Sequence, residues 1–173
     1  SNPIFNPYSI LEIDKLLKKN QLKITSISLD LIMKNPFHQW SLKDIDWLSD
    51  NLNVALRKFN IKRLNLPCEE TSRFFNNKDF LLFRKNSKRL IKKIHKNTLI
   101  SIESDFSPKI LKNLIKKINS KKVGINLDIG NIEANGFKID EFFEILPNNI
   151  FGIHLKNRKL LFGSSKRLGK NYN

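Results

Sequence analysis

Residues 98–131 read TLISIESDFSPKILKNLIKKINSKKVGINLDIGN and contain two short apolar segments on either side of a helical one. Thr98–Glu103 and Val123–Asp128 are mostly apolar, and each ends in a carboxylate, which is typical of buried parallel strands that stop at a polar edge. Between them, Ser107–Asn119 opens with Ser-Pro, and proline is favoured at the first position of a helix. This stretch therefore predicts a strand–helix–strand unit with parallel strands.

The same alternation extends in both directions along the chain. Further strands are predicted at Ile24–Asp30, Ile61–Leu66 and Ile150–Leu155, and further helices at Ser9–Lys19, Ser41–Phe59, Lys78–Lys96 and Asp140–Leu146. The strand starts bracket the spacing of about 31 residues per unit of a (β/α)8 TIM barrel, so the sequence predicts an α/β fold whose spacing is compatible with that barrel. A doubly wound sheet fits the spacing equally well, although its nucleotide-binding versions lose support because no GxGxxG or GxxxxGK(S/T) motif follows any strand.

Length and composition narrow the class of protein. The chain has 173 residues, enough for one domain with its own core. The single cysteine, Cys68, excludes a disulfide framework and any metal site built on several cysteines. No apolar run approaches the roughly 18 residues that span a bilayer, and no signal segment opens the chain, so we expect a cytoplasmic protein without a membrane partner. Residue 1 is Ser rather than Met, which suits a trimmed chain or a piece of a longer one.

The net charge of +16 raises the question of a nucleic-acid partner. Of the 32 basic residues, 25 are Lys and 7 are Arg, while Asn and Ile stand at 22 each. These abundant residues all have AT-rich codons, so genome composition accounts for much of the charge. Base-reading and phosphate-clamping sites favour Arg, and no aromatic residues interleave with the Lys-rich helix faces. A nucleic-acid partner is therefore not expected.

Three strand ends carry groups that suit a metal ion. Glu103 and Asp128 close two consecutive predicted strands, and His154 lies near the end of the next. Because the carboxyl ends of parallel strands meet at one edge, the three side chains are expected to share a rim. Two carboxylates and an imidazole suit a divalent ion such as Mn²⁺, Mg²⁺, Co²⁺ or Zn²⁺. The alternative is that both carboxylates are ordinary strand-end residues and His154 is a core histidine.

The residues around these three positions resemble a known family. The relevant segments are, in order, Ser101–Asp105 (SIESD), Gly124–Asn131 (GINLDIGN) and Ile153–Arg158 (IHLKNR). They resemble the sugar phosphate isomerase/epimerase family, the xylose-isomerase-like TIM barrels, which show a Glu closing strand 4, Asp-x-Gly-Asn at strand 5 and His-x-Lys-Asp at strand 6. Ser26–Asp30 and Arg63–Pro67 look like the family's second and third strands, and Leu168–Lys170 looks like the loop before its seventh.

The resemblance implies a single partial TIM-barrel domain over residues 1–173, with roughly strands 2 to 6 and an irregular C-terminal segment at 157–173. It also implies a divalent cation held by Glu103, Asp128 and His154, together with a Glu on strand 8 that is not among these residues. Asn157 departs from the pattern, since the family usually has Asp there.

The chemistry implied by the resemblance is proton transfer beside a sugar carbonyl through an enediolate, with Glu103 as one acid/base. Lys156 and Arg158 are candidates for binding a small sugar or sugar phosphate, because cationic side chains suit phosphate; solvated charges are the alternative. Asn131 is a third candidate, with shaping of the Asp128 turn as its alternative. Since the fourth ligand is missing, we expect weak or no turnover from these 173 residues alone.

Other functions remain in view at this stage. A DNA phosphodiesterase of the apurinic-endonuclease type has a related barrel; the net charge favours it, but a multi-zinc site needs several histidines and the chain has three. A non-catalytic remnant would also explain the missing ligand. A homo-oligomer is compatible with the sequence, and the fold alone does not fix the reaction.

Overall fold

The computed structural model describes residues 3–158 and 165–166 and shows one curled sheet of parallel strands. The strands are β1 (Ser26–Ser28), β2 (Arg63–Pro67), β3 (Leu99–Glu103), β4 (Val123–Asp128) and β5 (Ile150–His154). They lie side by side in chain order, and every neighbouring pair is parallel. A doubly wound sheet reverses its strand order at a switch point, so this unbroken order confirms a partial TIM-barrel arrangement.

Helices connect successive strands and cover the outside of the sheet. They are α1 (Pro7–Lys19), α2 (Leu31–Lys34), α3 (Leu42–Lys58), α4 (Asn77–Lys93), α5 (Pro108–Ile118), α6 (Ile129–Ala134) and α7 (Ile139–Ile145), with 3-10 turns at Pro3–Phe5, Phe37–Gln39 and Glu70–Ser72. The five predicted helices are present over nearly the same residues. The short helices α2 and α6 and the three 3-10 turns were not predicted. In the outer layer, α3 packs on α4, α4 on α5 and α5 on α7.

Side-chain caps fix where the long helices begin. Ser41 and Asp44 form a reciprocal capping box at the start of α3, in which each side chain accepts a main-chain hydrogen bond from the other residue. Asn76 accepts from the main chain of Asp79 at the start of α4. Each cap satisfies a main-chain donor that the helix leaves without a partner, and is worth about 1 kcal/mol. The helix starts are therefore encoded locally.

The two faces of the sheet have different compositions because side chains alternate along each strand. Leu64, Ile100, Ile102 and Ile125 are at most 1% exposed and pack against the helices in the hydrophobic core. Their sequence neighbours on the concave face are polar. That face carries Asn65, Ser101, Glu103, Asn126 and Asp128, which are all at least nine-tenths buried.

An irregularity in the pairing of β4 and β5 sets the position of the last strand. Ile125 pairs with Ile150 but Asn126 pairs with Gly152, so one extra residue, Phe151, is accommodated in β5. A Cβ atom on Gly152 would collide with the Asn126 side chain and lie 2.7 Å from Nη1 of Arg63, so a larger residue here would force these side chains to move. The shifted register pairs His154 with Asp128 at the strand ends.

The last described residues form a small separate pairing. Asn157–Arg158 (β6) is antiparallel to Ser165–Lys166 (β7). These four residues fall within the segment predicted to be irregular, and the rest of that segment, including Leu168–Lys170, lies outside the described residues. Among the described residues, no helix is long and apolar enough to cross a membrane.

Candidate metal centre

The carboxyl ends of β3, β4 and β5 bring Glu103, Asp128 and His154 together. One potential ligand atom from each residue lies within 4.8 Å of those of the other two. Nδ1 of His154 is 3.2 Å from Oε2 of Glu103 and 3.9 Å from Oδ2 of Asp128. The two carboxylates are buried, whereas the imidazole is 51% exposed at the open side. The expected convergence on one rim is therefore present in the structure.

Amide groups of the concave face hold the Glu103 carboxylate. Nδ2 of Asn65 and Nδ2 of Asn126 both donate to Oε2 of Glu103, at 2.5 and 2.9 Å. Ser101 in turn donates from its hydroxyl to Oδ1 of Asn65 at 3.0 Å, which fixes the orientation of that amide. Two donors on one oxygen satisfy a buried carboxylate and restrict its rotation. Glu103 is thus held in place by β2 and β4, the two neighbours of its own strand.

Asp128 has a different set of partners on its two oxygens. Oδ1 accepts a hydrogen bond from the main-chain N–H of Asn131 at 2.9 Å, so Asp128 also caps the start of α6. Oδ2 lies 2.6 Å from the Lys156 ammonium, which forms an ion pair with this buried carboxylate. A cationic group therefore already occupies the environment of Asp128. An environment that accepts an ammonium group is electrostatically suited to a cation.

Glu69 is a further carboxyl group at this edge that sequence reasoning missed. It follows β2 by two residues, and its Oε2 accepts a hydrogen bond from Nδ2 of Asn131. Burial first, and then the negative charges of Glu103 and Asp128, raise the pKa of Glu69 to about 7, while Lys156 opposes the shift. The available signal was its position: Glu69 comes just after a strand, at the same edge of the sheet as Glu103.

The three residues predicted to bind substrate lie in different environments. Lys156 is one-third exposed and paired with Asp128. The Asn131 side chain is 1% exposed and contacts Glu69 rather than facing open solvent. Arg158 belongs to β6 by its main chain, and its side chain lies outside the described residues. The substrate roles of all three stay predictions.

The donor set fits a divalent cation. Two buried carboxylates and one accessible imidazole provide oxygen and nitrogen ligands of the kind that Mn²⁺, Co²⁺, Zn²⁺ and, less readily, Mg²⁺ accept. The exposed side of His154 leaves space for further ligands from water or from a substrate. Among the described residues, these three side chains form the one group of His, Cys, Asp or Glu residues close enough together to hold a single metal ion.

An unbroken run of parallel strands in chain order, with helices between them, is the arrangement found in part of a TIM barrel. A xylose isomerase domain protein from Planctomyces limnophilus superposes with a TM-score of 0.72 at 13% identity. The match covers 95% of this chain and 66% of that one. This likeness confirms the predicted fold, a partial TIM barrel.

Two further solved structures share the fold. The 3-keto-D-glucoside 4-epimerase from E. coli has a TM-score of 0.66 at 12% identity, covering 91% of this chain and 66% of that one. A probable 3-DHS dehydratase involved in petrobactin synthesis in Bacillus anthracis has a TM-score of 0.64 at 16% identity, covering 91% and 59%. This chain thus spans about three-fifths to two-thirds of the length of each. No protein-family model and no curated protein sequence matches the chain.

Proposed function

We propose that this chain is the central part of a metal-dependent sugar or sugar-phosphate isomerase or epimerase. The observation that carries the proposal is the convergence of Glu103, Asp128 and His154 at the ends of three adjacent strands. One protein of the same fold is a sugar epimerase by name, which supports a sugar substrate. Another is named as a probable dehydratase, so the fold alone leaves the reaction open.

In this proposal Glu103, Asp128 and His154 hold the cation, which when bound supplies Lewis-acid polarisation of the sugar oxygens. Glu103 would also accept a proton from the carbon beside the carbonyl, which leaves an enediolate, and the strand-8 glutamate that the resemblance implies would return a proton to the sugar. The amides of Asn65 and Asn126 aim the Glu103 carboxylate and keep it from rotating away during the transfer.

The proposal also gives Lys156 a role in binding the substrate. Its ammonium is paired with Oδ2 of Asp128, the same carboxylate that is proposed to hold the cation. A bound cation competes for that oxygen, so the ammonium becomes available to a phosphate or hydroxyl of the substrate. Arg158 is proposed to contact the same substrate, whereas Asn131, which is 1% exposed and bonded to Glu69, is proposed to shape the Asp128 turn.

The metal site is tested with Mn²⁺ on the purified chain, by isothermal titration calorimetry. We expect one cation per chain, and at least about 10-fold weaker binding for Asp128→Asn, because the amide lacks the charge of a ligand. Asparagine also caps helices well, so α6 should keep its start. The matched control is Asp50→Asn, an exposed position on α3. Equal affinity for wild type and Asp128→Asn would contradict the proposed site.

The reaction is tested separately, by proton exchange in deuterated water. Ketoses and ketose phosphates are incubated with the chain and Mn²⁺, and NMR follows deuterium entering the carbon beside the carbonyl. We expect little or no exchange, because the strand-8 glutamate that the resemblance implies is not among these 173 residues. Robust cation-dependent exchange that Glu103→Gln abolishes would show that three ligands suffice, and would contradict the expected inactivity.

A DNA phosphodiesterase is the second candidate, favoured by the net charge of +16. It predicts salt-sensitive binding to abasic duplex together with metal-dependent cleavage. Binding without cleavage would reduce this candidate to a general attraction between cations and phosphates. The composition of the site opposes it, because His154 is the sole histidine in the described cluster.

A further inference from the structure

Glu69 lies at the same edge of the sheet as the three proposed ligands, on the segment that follows β2. The main-chain N–H of its neighbour Cys68 donates to the carbonyl of Glu103 at 2.7 Å, which attaches this segment to the end of β3. Glu69 is half-buried, and its carboxylate reaches across to α6. The ends of four consecutive strands, β2 to β5, therefore each bring an ionisable group to one rim.

A short series of hydrogen bonds links Glu69 to a proposed ligand. Glu69 accepts from the side-chain amide of Asn131, and the main-chain N–H of Asn131 donates to Oδ1 of Asp128. Asn131 is almost fully buried, and its carbonyl accepts from the side chain of Asn135, so it is held from several directions. Movement of Asn131 would be passed directly to Asp128, because one residue makes both contacts.

We propose that Glu69 is a positioning residue of the cation site, which holds Asn131 and through it sets the orientation of Asp128. This inference rests on the proposed function, since it needs a cation bound by Asp128. Groups that orient metal ligands typically contribute 10- to 100-fold to metal affinity. The three sequence segments that carry the proposed ligands do not include Glu69. Glu69 follows β2, whereas the ligands lie at the ends of β3, β4 and β5.

A simple electrostatic role is the competing explanation, because any carboxylate near the site attracts a cation. Two conservative variants separate the roles. Glu69→Gln keeps the length of the side chain and an oxygen that can accept from Asn131, but loses the charge. Glu69→Asp keeps the charge, but is one methylene shorter and no longer reaches Asn131 in the same geometry. Positioning depends on reach, whereas attraction depends on charge.

The test measures Mn²⁺ affinity by calorimetry and the visible absorption of bound Co²⁺, which reports ligand geometry. We expect Glu69→Asp to bind Mn²⁺ about 10-fold more weakly and to change the Co²⁺ spectrum. Glu69→Gln is expected to lose no more than about 3-fold and to keep the wild-type spectrum, because side-chain reach is preserved. Glu133→Asp, exposed on the same helix as Asn131, is the control and should match wild type.

Other outcomes overturn the inference in distinguishable ways. Wild-type affinity and spectrum in Glu69→Asp would show that reach is unimportant. A larger loss in Glu69→Gln than in Glu69→Asp would assign Glu69 to charge attraction alone. Absence of Mn²⁺ binding by the wild-type chain would overturn the proposed function, and this inference with it. Circular dichroism of each variant checks that the fold is kept.

Discussion

The two faces of the five-stranded sheet differ in the polarity of their buried side chains. On the helix-facing side, Ile100 and Ile102 are sealed from water among other apolar side chains. On the concave side, their neighbours Ser101 and Glu103 are buried just as deeply but hydrogen-bond to Asn65 and Asn126. The comparison teaches that burial alone does not define a core here: one face contributes hydrophobic stabilisation, and the other holds charged groups in fixed positions.

The largest expected effect comes from the helix-facing side. Ile102→Ala removes most of a side chain that is 1% exposed, so we expect the free energy of unfolding to fall by about 3 kcal/mol. Urea denaturation measures the change. Ile153→Ala, at a position 48% exposed on β5, should cost much less. Mn²⁺ affinity of the folded Ile102→Ala chain should stay within about 2-fold of wild type, because its side chain does not face the ligands. A large loss of Mn²⁺ affinity would show that the helix-facing side also shapes the cation site, and would contradict the separation of roles between the two faces.

A smaller effect is expected at Gly152, a crowded position on the concave face. Gly152→Ala places a methyl group against Asn126 and Arg63, so the β4–β5 pairing must adjust. We expect a loss of about 2 kcal/mol in the free energy of unfolding, since overpacked sites typically cost 1–3 kcal/mol. We also expect weaker Mn²⁺ binding, because Asn126 holds Glu103 and the register of β5 sets His154. A variant as stable as wild type would show that the irregular pairing tolerates a side chain.

The smallest effect concerns pH and Glu69. Its pKa is about 7 in the folded chain and near 4.5 in an unfolded one, so the folded state binds the proton more tightly. Stability without added metal should therefore fall as pH rises from about 4.5 through 7, by about 1 kcal/mol after allowance for solvent screening. Thermal unfolding in EDTA at pH 5 and pH 8 measures this. Glu69→Gln should flatten the dependence, and the exposed control Glu12→Gln should not.

The sequence was informative where the structure depends on local patterns. Apolar periodicity predicts the five strands and five of the helices, and the strand-end positions predict that Glu103, Asp128 and His154 lie together. Features that depend on contacts between distant residues were missed. The extra residue at Phe151 lies beside Gly152, which packs against Arg63 and Asn126, and no single segment encodes this meeting of three strands.

A dependence on distant contacts also explains why the sequence did not indicate Glu69. Glu69 lies beyond the end of its strand, and its importance comes from an amide 62 positions further along the chain. Lys156 is predicted to bind substrate, and its contact with Asp128 depends on the pairing of β4 with β5, which sets the two strand ends side by side. Sequence patterns identify which groups reach an edge, whereas tertiary packing decides which of them touch.

The most direct test of the central claim is to locate the bound cation with paramagnetic Mn²⁺ in NMR spectra of the ¹⁵N-labelled chain. We predict that small amounts of Mn²⁺ selectively broaden amide signals next to the ligands, such as those of Ser104, Ile129 and Leu155. Amides of α1, including those around the exposed ion pair of Asp14 and Lys18, should stay sharp. Selective broadening at α1 or at another acidic surface, with the strand ends unaffected, would contradict a cation site at the carboxyl edge of the sheet.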